Sequence, residues 1–482
     1  MTPSHTAPDR TRWAALTVLC AGTLMIILDG TIVTVALPRI QTDLGLSTGG
    51  LAWVMNAYLI AFGGMLLLAG RLGDLLGPKR VLLAGLALFT AASLLCGLAA
   101  TPALLITGRL LQGLGGALTA SVSLGMIVNL FSEPRDLRRA FAVYSFTGSA
   151  GASLGLVLGG VLTQELGWHW IFFINVPIGL ATVVPAVRLL DARPGPGLRR
   201  GADVAGALLV TSGLTLGVYA IVEHGRDAWL AALLLAGFAL RQATAADPLL
   251  PPRILRSRKV AGANLVQGLM VAALFSFQIL IAQYLQHVLG YGPAATGLAM
   301  APSALSIGAF SLGLSARLNA RFGERAVLTA GLLMLVLGLA WLTRVPVHGH
   351  YLPDVLPVTL LVGGFGLAVT AVTTVGLSDA TPADSGLLSG LFNTTQQLGA
   401  ALGVAVTTTL AADRSSGLLT DGGSRLAALT GGYRLAFGVD TALLTAATLA
   451  VLLLPRHRRP APAPAAEPPP VPGRSAAGQR TR

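Results

Sequence analysis

Stretches of about 20 predominantly apolar residues recur along the chain, each long enough to cross the hydrocarbon core of a bilayer as a helix. Short polar segments separate them. The pattern predicts fourteen helical spans, over 15–37, 51–70, 81–100, 103–130, 140–163, 168–190, 203–222, 228–246, 260–282, 294–316, 326–344, 353–378, 385–411 and 434–455. After Leu454 the sequence PRHRRPAPAPAAEPPPVPGRSAAGQRTR has no core-forming residues, which predicts a disordered tail.

The basic residues sort with this count. With the N-terminus inside, the inner segments hold 26 of the 33 Lys and Arg, whereas the outer loops hold Arg39, Arg226, Arg344, Arg414, Arg425 and Arg434. That asymmetry follows the positive-inside rule. Span 228–246 is the least apolar, and its Arg241 is expected to snorkel to the interface. Omitting it would place Arg241, Arg253, Arg256, Arg258 and Lys259 outside, against that rule.

An internal repeat is visible at an offset of 246 residues, which carries the first five spans close to spans nine to thirteen. Arg71, Leu72, Gly77, Lys79, Val81 and Leu82 fall on Arg317, Leu318, Gly323, Arg325, Val327 and Leu328. Span fourteen runs about 20 residues late, behind a loop over 412–433. The expected organisation is therefore a cytoplasmic N-terminus (1–14), a six-helix half (15–190), two inserted helices (203–246), a second six-helix half (260–455) and a disordered cytoplasmic tail (456–482).

Composition narrows the class. Hydrophobic residues make up 54% of 482 and charged residues 11%, so the chain reads as all-α integral membrane protein. The net charge of +13 is spread over loops between spans, which argues for topology and against nucleic acid. Cys20 and Cys96 each lie in an apolar span and imply no disulfide. No small-residue cleavage site follows the first span, so that span is expected to be retained.

Candidate chemistry begins with Asp29, a carboxylate in the apolar run WAALTVLCAGTLMIILDGTIVTVAL. A charge at that depth costs several kcal/mol and is a functional-site hypothesis by default. Arg109 poses the same problem in span four. At 1.5 Å per residue Asp29 lies about 12 Å and Arg109 about 9 Å from the outer surface. Similar depth on antiparallel helices predicts that the two meet. The repeat maps them to Phe275 and Val355, so the second half lacks both.

Several motifs carry a resemblance. LDGTIVTVALP in span one, GRLGDLLGPKR (Gly70 to Arg80) between spans two and three, LLITGRLLQGLGGA in span four and WHWIFFINVPIGL at span six are together similar to the fourteen-span drug/proton antiporters of the major facilitator superfamily, EmrB/QacA type. The resemblance covers nearly all of residues 13–455. It implies a major facilitator fold of two six-helix halves plus two inserted helices. It also implies a proton-coupling role for Asp29 and Arg109, and a conformational latch at Asp74 supported by Gly70, Gly77, Lys79 and Arg80. Leu75 and Pro78 stand where that loop signature has basic residues. Gly151, Gly155, Gly159 and Gly160 in span five fit either close helix packing or the family's helix-bending motif, although Leu156 replaces its usual proline.

The remaining polar span residues include Asn56, Gln278, Gln396 and the candidate substrate contacts Tyr58, Gln112, Asn264, Gln267, Asn393 and Gln397. Helix–helix hydrogen bonding is the competing role for each. Asp440, placed one and a half turns into the last span, is expected at the outer interface. His348 and His350 in an outer loop give only a weak metal signal.

The implied function is secondary active export of small lipophilic compounds, drugs or antibiotics, in exchange for protons by alternating access. A proton-coupled uptake symporter is the main alternative and a membrane-embedded sensor a more remote one. The chain is expected to be no enzyme: it has no nucleophile constellation or phosphate loop. It should need no cofactor or metal beyond the proton gradient, and should act as a monomer in a bacterial plasma membrane with both termini cytoplasmic. Asp29 as the one deep acid further predicts neutral or singly charged substrates.

Overall fold

The computed structural model describes residues 9–453, apart from 132, 191–194, 196, 198–202, 223–224, 226, 246–247, 250–256 and 378–384. The expected tail over 456–482 lies outside the described residues. Within them the chain is helical almost throughout. The first eight long helices are α1 (Asp9–Leu44), α2 (Thr48–Leu76), α3 (Pro78–Gly97), α4 (Pro102–Leu130), α5 (Pro134–Glu165), α6 (Asn175–Leu189), α7 (Val204–Val222) and α8 (Ala228–Thr244). The rest are α9 (Arg258–His287), α10 (Pro293–Ala309), α11 (Glu324–Leu342), α12 (Gly364–Leu377), α13 (Ser385–Thr420) and α14 (Arg425–Leu453). A short turn, Trp170–Phe173, leads into α6, and α10 continues through a π-helical turn, Phe310–Leu314, into Ser315–Phe322.

Among the described residues ten helices are long and apolar enough to cross a membrane, and α2, bent by 49°, makes an eleventh. The other three predicted segments are helical as well: α8 at 17 residues, α10 with its π interruption, and α13 with its polar stretch Asn393–Gln397. Large apolar side chains such as Leu233, Leu240, Leu298 and Leu305 are exposed on the helix surfaces, as lipid-facing positions require.

Lipid offers no hydrophobic drive for helix association, so close packing falls to small residues. A methyl group on Gly115 would lie 2.6 Å from Phe89 N, and one on Gly108 2.5 Å from the Cys96 sulfur, so α3 and α4 touch nearly backbone to backbone. Gly113 does the same for α4 against Tyr58 and Ala61 of α2. On α5, Gly151, Gly155 and Gly159 face Leu24, Thr31 and Ile32 of α1, while Gly160 faces Pro293 of α10. The four glycines thus lie at packing contacts, and α5 is one continuous helix.

The repeat is visible in the turns. Gly77, before α3, and Gly323, before α11, share an unusual positive φ, 93° and 82°. Two residues on, Lys79 donates to the carbonyls of Val187 (2.7 Å) and Leu190 (2.5 Å), and Arg325 donates to Leu452 (2.6 Å). Each cation therefore holds the C-terminal end of the sixth helix of its set, where unpaired carbonyls and the helix dipole favour positive charge. The first six helices meet the last six through α2 against α13 and α5 against α10. Near the face where α1 ends, called distal here, Gln164 accepts from Ala294 N, and Gln286 donates to the Val35 carbonyl.

Two expectations need correction. Arg241 does not merely snorkel: its Nε donates to Asp203 at 2.5 Å, beside Gln242 at 2.9 Å and the Gly206 amide at 2.9 Å. Asp203 thus ties the start of α7 to the end of α8, which lends the less apolar α8 a buried anchor. The loop expected over 412–433 is mostly helix, because α13 runs to Thr420 and α14 starts at Arg425. Hydropathy marks only the immersed part of a helix, and these two continue past it.

Two glycines of α4 make a test. Gly113→Ala should lower thermal stability by about 1–3 kcal/mol through overpacking. Gly125→Ala, with nothing within 4 Å of the new methyl group, should be neutral or gain up to about 1 kcal/mol from helix propensity. Equal melting temperatures for the two variants in detergent would refute the packing argument.

Candidate functional site

Side chains from four helices converge on one buried polar cluster. α1 contributes Asp29, and α4 contributes Arg109 and Gln112, three residues apart and so on one face. From α3 comes Ser93, and from the first turn of α6 Asn175; all five side chains are fully buried. Arg109 Nη1 donates to Asp29 Oδ2 at 2.5 Å, and Asp29 Oδ1 accepts from Gln112 Nε2 at 3.0 Å and Asn175 Nδ2 at 2.8 Å. The depth argument for the Asp29–Arg109 encounter matches this geometry.

Arg109 is held independently of the acid. Its Nε donates to the Val54 carbonyl of α2 at 3.0 Å, and its Nη1 also reaches Gln112 Oε1 at 2.9 Å. One turn along α2, the Tyr58 ring lies 4.4 Å from the guanidinium carbon, with Phe172 at 6.0 Å. Such contacts add ~2 kcal/mol when desolvated. Gln112 bridges the set, accepting from Arg109 while donating to Asp29 and to Ser93 at 2.8 Å. Arg109 Nη2 and Asn175 Oδ1 keep no partner. Asp29 thus has donors on every side, and the cation stays supported if the acid lets go.

Of the six candidate substrate contacts, Tyr58 and Gln112 belong to this cluster. Asn264 (α9) donates to the Val260 carbonyl and accepts from Thr395 (α13) at 2.8 Å, while the buried Gln267 Oε1 has no partner. Gln397 packs against Gly63 where α13 crosses α2, and Asn393, on α13, is half-buried. A second polar region therefore lies between α9 and α13, near the α2 contact. Asn56, fully buried on α2, has neither amide atom paired.

At the α2–α3 turn Asp74 and Arg80 are exposed, Gly70 faces open space, and Lys79 serves the α6 terminus. The turn does receive the backbone of Gly197, whose amide donates to Leu75 O at 2.9 Å. Among the described residues no group of three or more potential metal ligands gathers.

Sequence reasoning missed Ser93, Asn175 and the Tyr58 ring contact. Asn175 stood inside the noted WHWIFFINVPIGL motif, and its signal was a lone amide among apolar residues at a depth similar to Asp29. Asp440 was misplaced: it is the sixteenth residue of α14 and fully buried, with Oδ2 2.8 Å from the Ser276 hydroxyl of α9 and Oδ1 unpartnered. Asp29 is therefore not the single deep acid.

A helical bundle with buried charges and two repeated sets of six helices is the architecture of a membrane transporter. Solved structures of this kind superpose on it: a bacterial homologue of the human lysosomal transporter Spinster (TM-score 0.66, 16% identity, 93% of this chain and 97% of that one) and the nucleoside transporter NupG (TM-score 0.65, 14% identity, 91% and 99%). The family model of the Major Facilitator Superfamily matches residues 19–277 and 263–480, and the chain belongs to that family. It is 38% identical over 467 residues to a puromycin resistance protein of Streptomyces alboniger, covering 92% of each. It is 37% identical over 426 residues to a cephamycin export protein of Amycolatopsis lactamdurans (86% of this chain, 88% of that one), and 31% over 421 to a tetracenomycin C resistance and export protein of Streptomyces glaucescens (85% and 78%). These relatives fit the drug-exporting branch that the motifs resemble. The chain is a multi-pass membrane protein.

Asp29 and Arg109 should be energetically coupled. Removing one charge leaves its partner buried and unpaired, at a cost of about 3–5 kcal/mol, whereas removing both is much less damaging. Arg109→Gln should therefore be less stable than Asp29→Asn with Arg109→Gln together. Melting temperatures over the full double-mutant cycle measure this, and strict additivity would show that the pair does not couple.

Proposed function

We propose that the chain exports small lipophilic compounds, antibiotics among them, in exchange for protons by alternating access. The observation that carries this reading is the buried Asp29 cluster, which joins α1 to α4 and α6 through an ionisable group. Three relatives named for antibiotic resistance or export favour outward transport over uptake by the same machinery. In this cycle Asp29 takes a proton, its hold on Arg109, Gln112 and Asn175 weakens, and α1 is freed to shift against α4 and α6. Arg109 stays fixed by Val54, Gln112 and the Tyr58 ring, so the cation is not stranded.

The polar region of α9 and α13, with Asn264, Gln267, Asn393 and Gln397, lies where α2 meets α13 and is the proposed substrate surface. Asp74, exposed at the α2–α3 turn, is the proposed latch acid when that face closes. The protein works without a cofactor, driven by the proton gradient of a bacterial plasma membrane, as a monomer with both termini cytoplasmic. One proton moved across 100 mV is worth ~2.3 kcal/mol, enough to sustain roughly a fifty-fold gradient of a neutral substrate. The restriction to neutral or singly charged substrates rested on a single deep acid, and the burial of Asp440 removes that premise.

Expression in an efflux-deficient host should raise tolerance to puromycin, a cephamycin or tetracenomycin C, and the host without the chain is the control. Asp29→Asn should abolish that tolerance and proton-coupled efflux while the protein still inserts, because the amide keeps the shape but does not titrate. Equal efflux by this variant under an imposed pH gradient would refute the coupling role. Asp74→Asn should slow turnover and leave equilibrium binding intact; a matching loss of affinity would count against the latch.

A further inference from the structure

Asp440 has a different environment from Asp29. α14 packs against α9, α13 and α11, and the carboxyl lies among them fully buried. Among the described residues no cation forms an ion pair with it, and Oδ1 has no hydrogen-bond partner. The charged and titratable groups on the surrounding helices lie toward their ends. They are Arg258, Lys259, Tyr284 and His287 on α9, Asp413 and Arg414 on α13, Glu324 and Arg325 on α11, and Arg425, Tyr433 and Arg434 on α14 itself. Arg434 is turned away to the Val345 carbonyl at 2.8 Å.

The contacts that Asp440 does make can be counted proton by proton. Ser276 Oγ lies 2.8 Å from Asp440 Oδ2 and 2.7 Å from Thr407 Oγ1, and Thr407 Oγ1 lies 2.7 Å from the Gly403 carbonyl. Each hydroxyl has one proton to donate. If the carboxyl is neutral, the donations run in series: Asp440 Oδ2–H to Ser276, Ser276 to Thr407, and Thr407 to Gly403. Every contact then holds one proton. If the carboxyl is ionised, Ser276 must turn to Asp440 and Thr407 to Ser276. The Gly403 contact then loses its proton, and Oδ1 carries charge while buried without a hydrogen bond, which is costly.

We propose that Asp440 is a second proton-binding site, held in this conformation as a neutral acid at the head of the Ser276–Thr407 relay. Hydroxyl rotation lets the same two residues serve the ionised form, so the site can release its proton without rebuilding its walls. Asp440 mirrors the first site with helix roles exchanged. There the acid sits on α1 and takes an amide from α6; here it sits on α14 and takes a hydroxyl from α9. Two turns toward the start of α14, about 10 Å away, Tyr433 Oη lies 3.5 Å from Gln283 Oε1 and 3.4 Å from His287 Nδ1. As a carrier in the exchange cycle the site rests on the proton-coupled reading above; its protonation does not.

Infrared spectroscopy of the purified full chain, with no substrate added, tests this directly. The carbonyl stretch of a protonated carboxyl group should be present at neutral pH in wild type and in Asp29→Asn, and should be lost in Asp440→Asn. Ser276→Ala keeps the acid and removes its partner, so it should shift the band without abolishing it; this separates the assignment from misfolding of the amide variant. Raising the pH should bleach the band reversibly. No Asp440-dependent band in wild type, or a band untouched by Ser276→Ala, overturns the assignment. A band that persists until the helical circular dichroism is lost marks a permanently neutral acid and overturns the carrier role. Proton-coupled export that fails while the band behaves as described refutes the transport reading alone, and coupled export without the band refutes this one alone.

Discussion

A charge in hydrocarbon must be satisfied by the protein itself, and the Asp29–Arg109 pair makes that demand at the centre of the first six helices. Neither residue reaches water, and each unmet hydrogen bond to a charged group is expensive at this depth. The rest of the local structure follows from the demand. Gly113 lets α4 come close enough to α2 for the guanidinium to reach the Val54 carbonyl and cover the Tyr58 ring. Gly108 and Gly115 bring α3 near enough for Ser93 to close the far side of Gln112. α6 begins at Asn175, whose amide fills the last direction open on Asp29.

The same constraint explains why the cluster can move. A pair that depended on itself alone would break only at the full cost of two stranded charges. Here the cation keeps a carbonyl, an amide oxygen and an aromatic face of its own, and the acid shares its other oxygen with two amides. Weakening one contact therefore leaves the remaining groups supported. That is the property a coupling site needs, since a few kcal/mol must decide between two arrangements of packed helices.

The helices were legible because lipid forces apolar length onto the sequence, and the Asp29–Arg109 encounter was legible because depth can be counted from the helix rise. Single polar residues were not. Asn175, Ser93, Ser276 and Thr407 carry no charge, and an uncharged polar side chain in a span is compatible with helix bonding, substrate contact or back-bonding to its own turn. Asp440 was lost through register: the apolar window began at 434, yet α14 starts at Arg425, and those nine residues move the acid from the interface to mid-helix. Arg241 was misread for a related reason, because its partner Asp203 lies 38 residues away and only the fold joins them.

The two halves solve the burial of an acid in opposite ways, and the difference bears on energetics. In the first half the acid is matched by a cation, so any proton it binds must compete with Arg109. In the second half no cation among the described residues pairs with the acid, and two hydroxyls and a carbonyl set the balance. Sites of such different character need not load in the same step or from the same face, which allows proton entry and substrate exchange to be separated in time. If both acids cycle, the driving energy at 100 mV doubles to ~4.6 kcal/mol, which raises the sustainable gradient of a neutral substrate from roughly fifty-fold to roughly two-thousand-fold. A singly charged substrate leaving against the potential would use part of that drive and still be concentrated. One proton alone would leave the electrical term of such a cation only just covered.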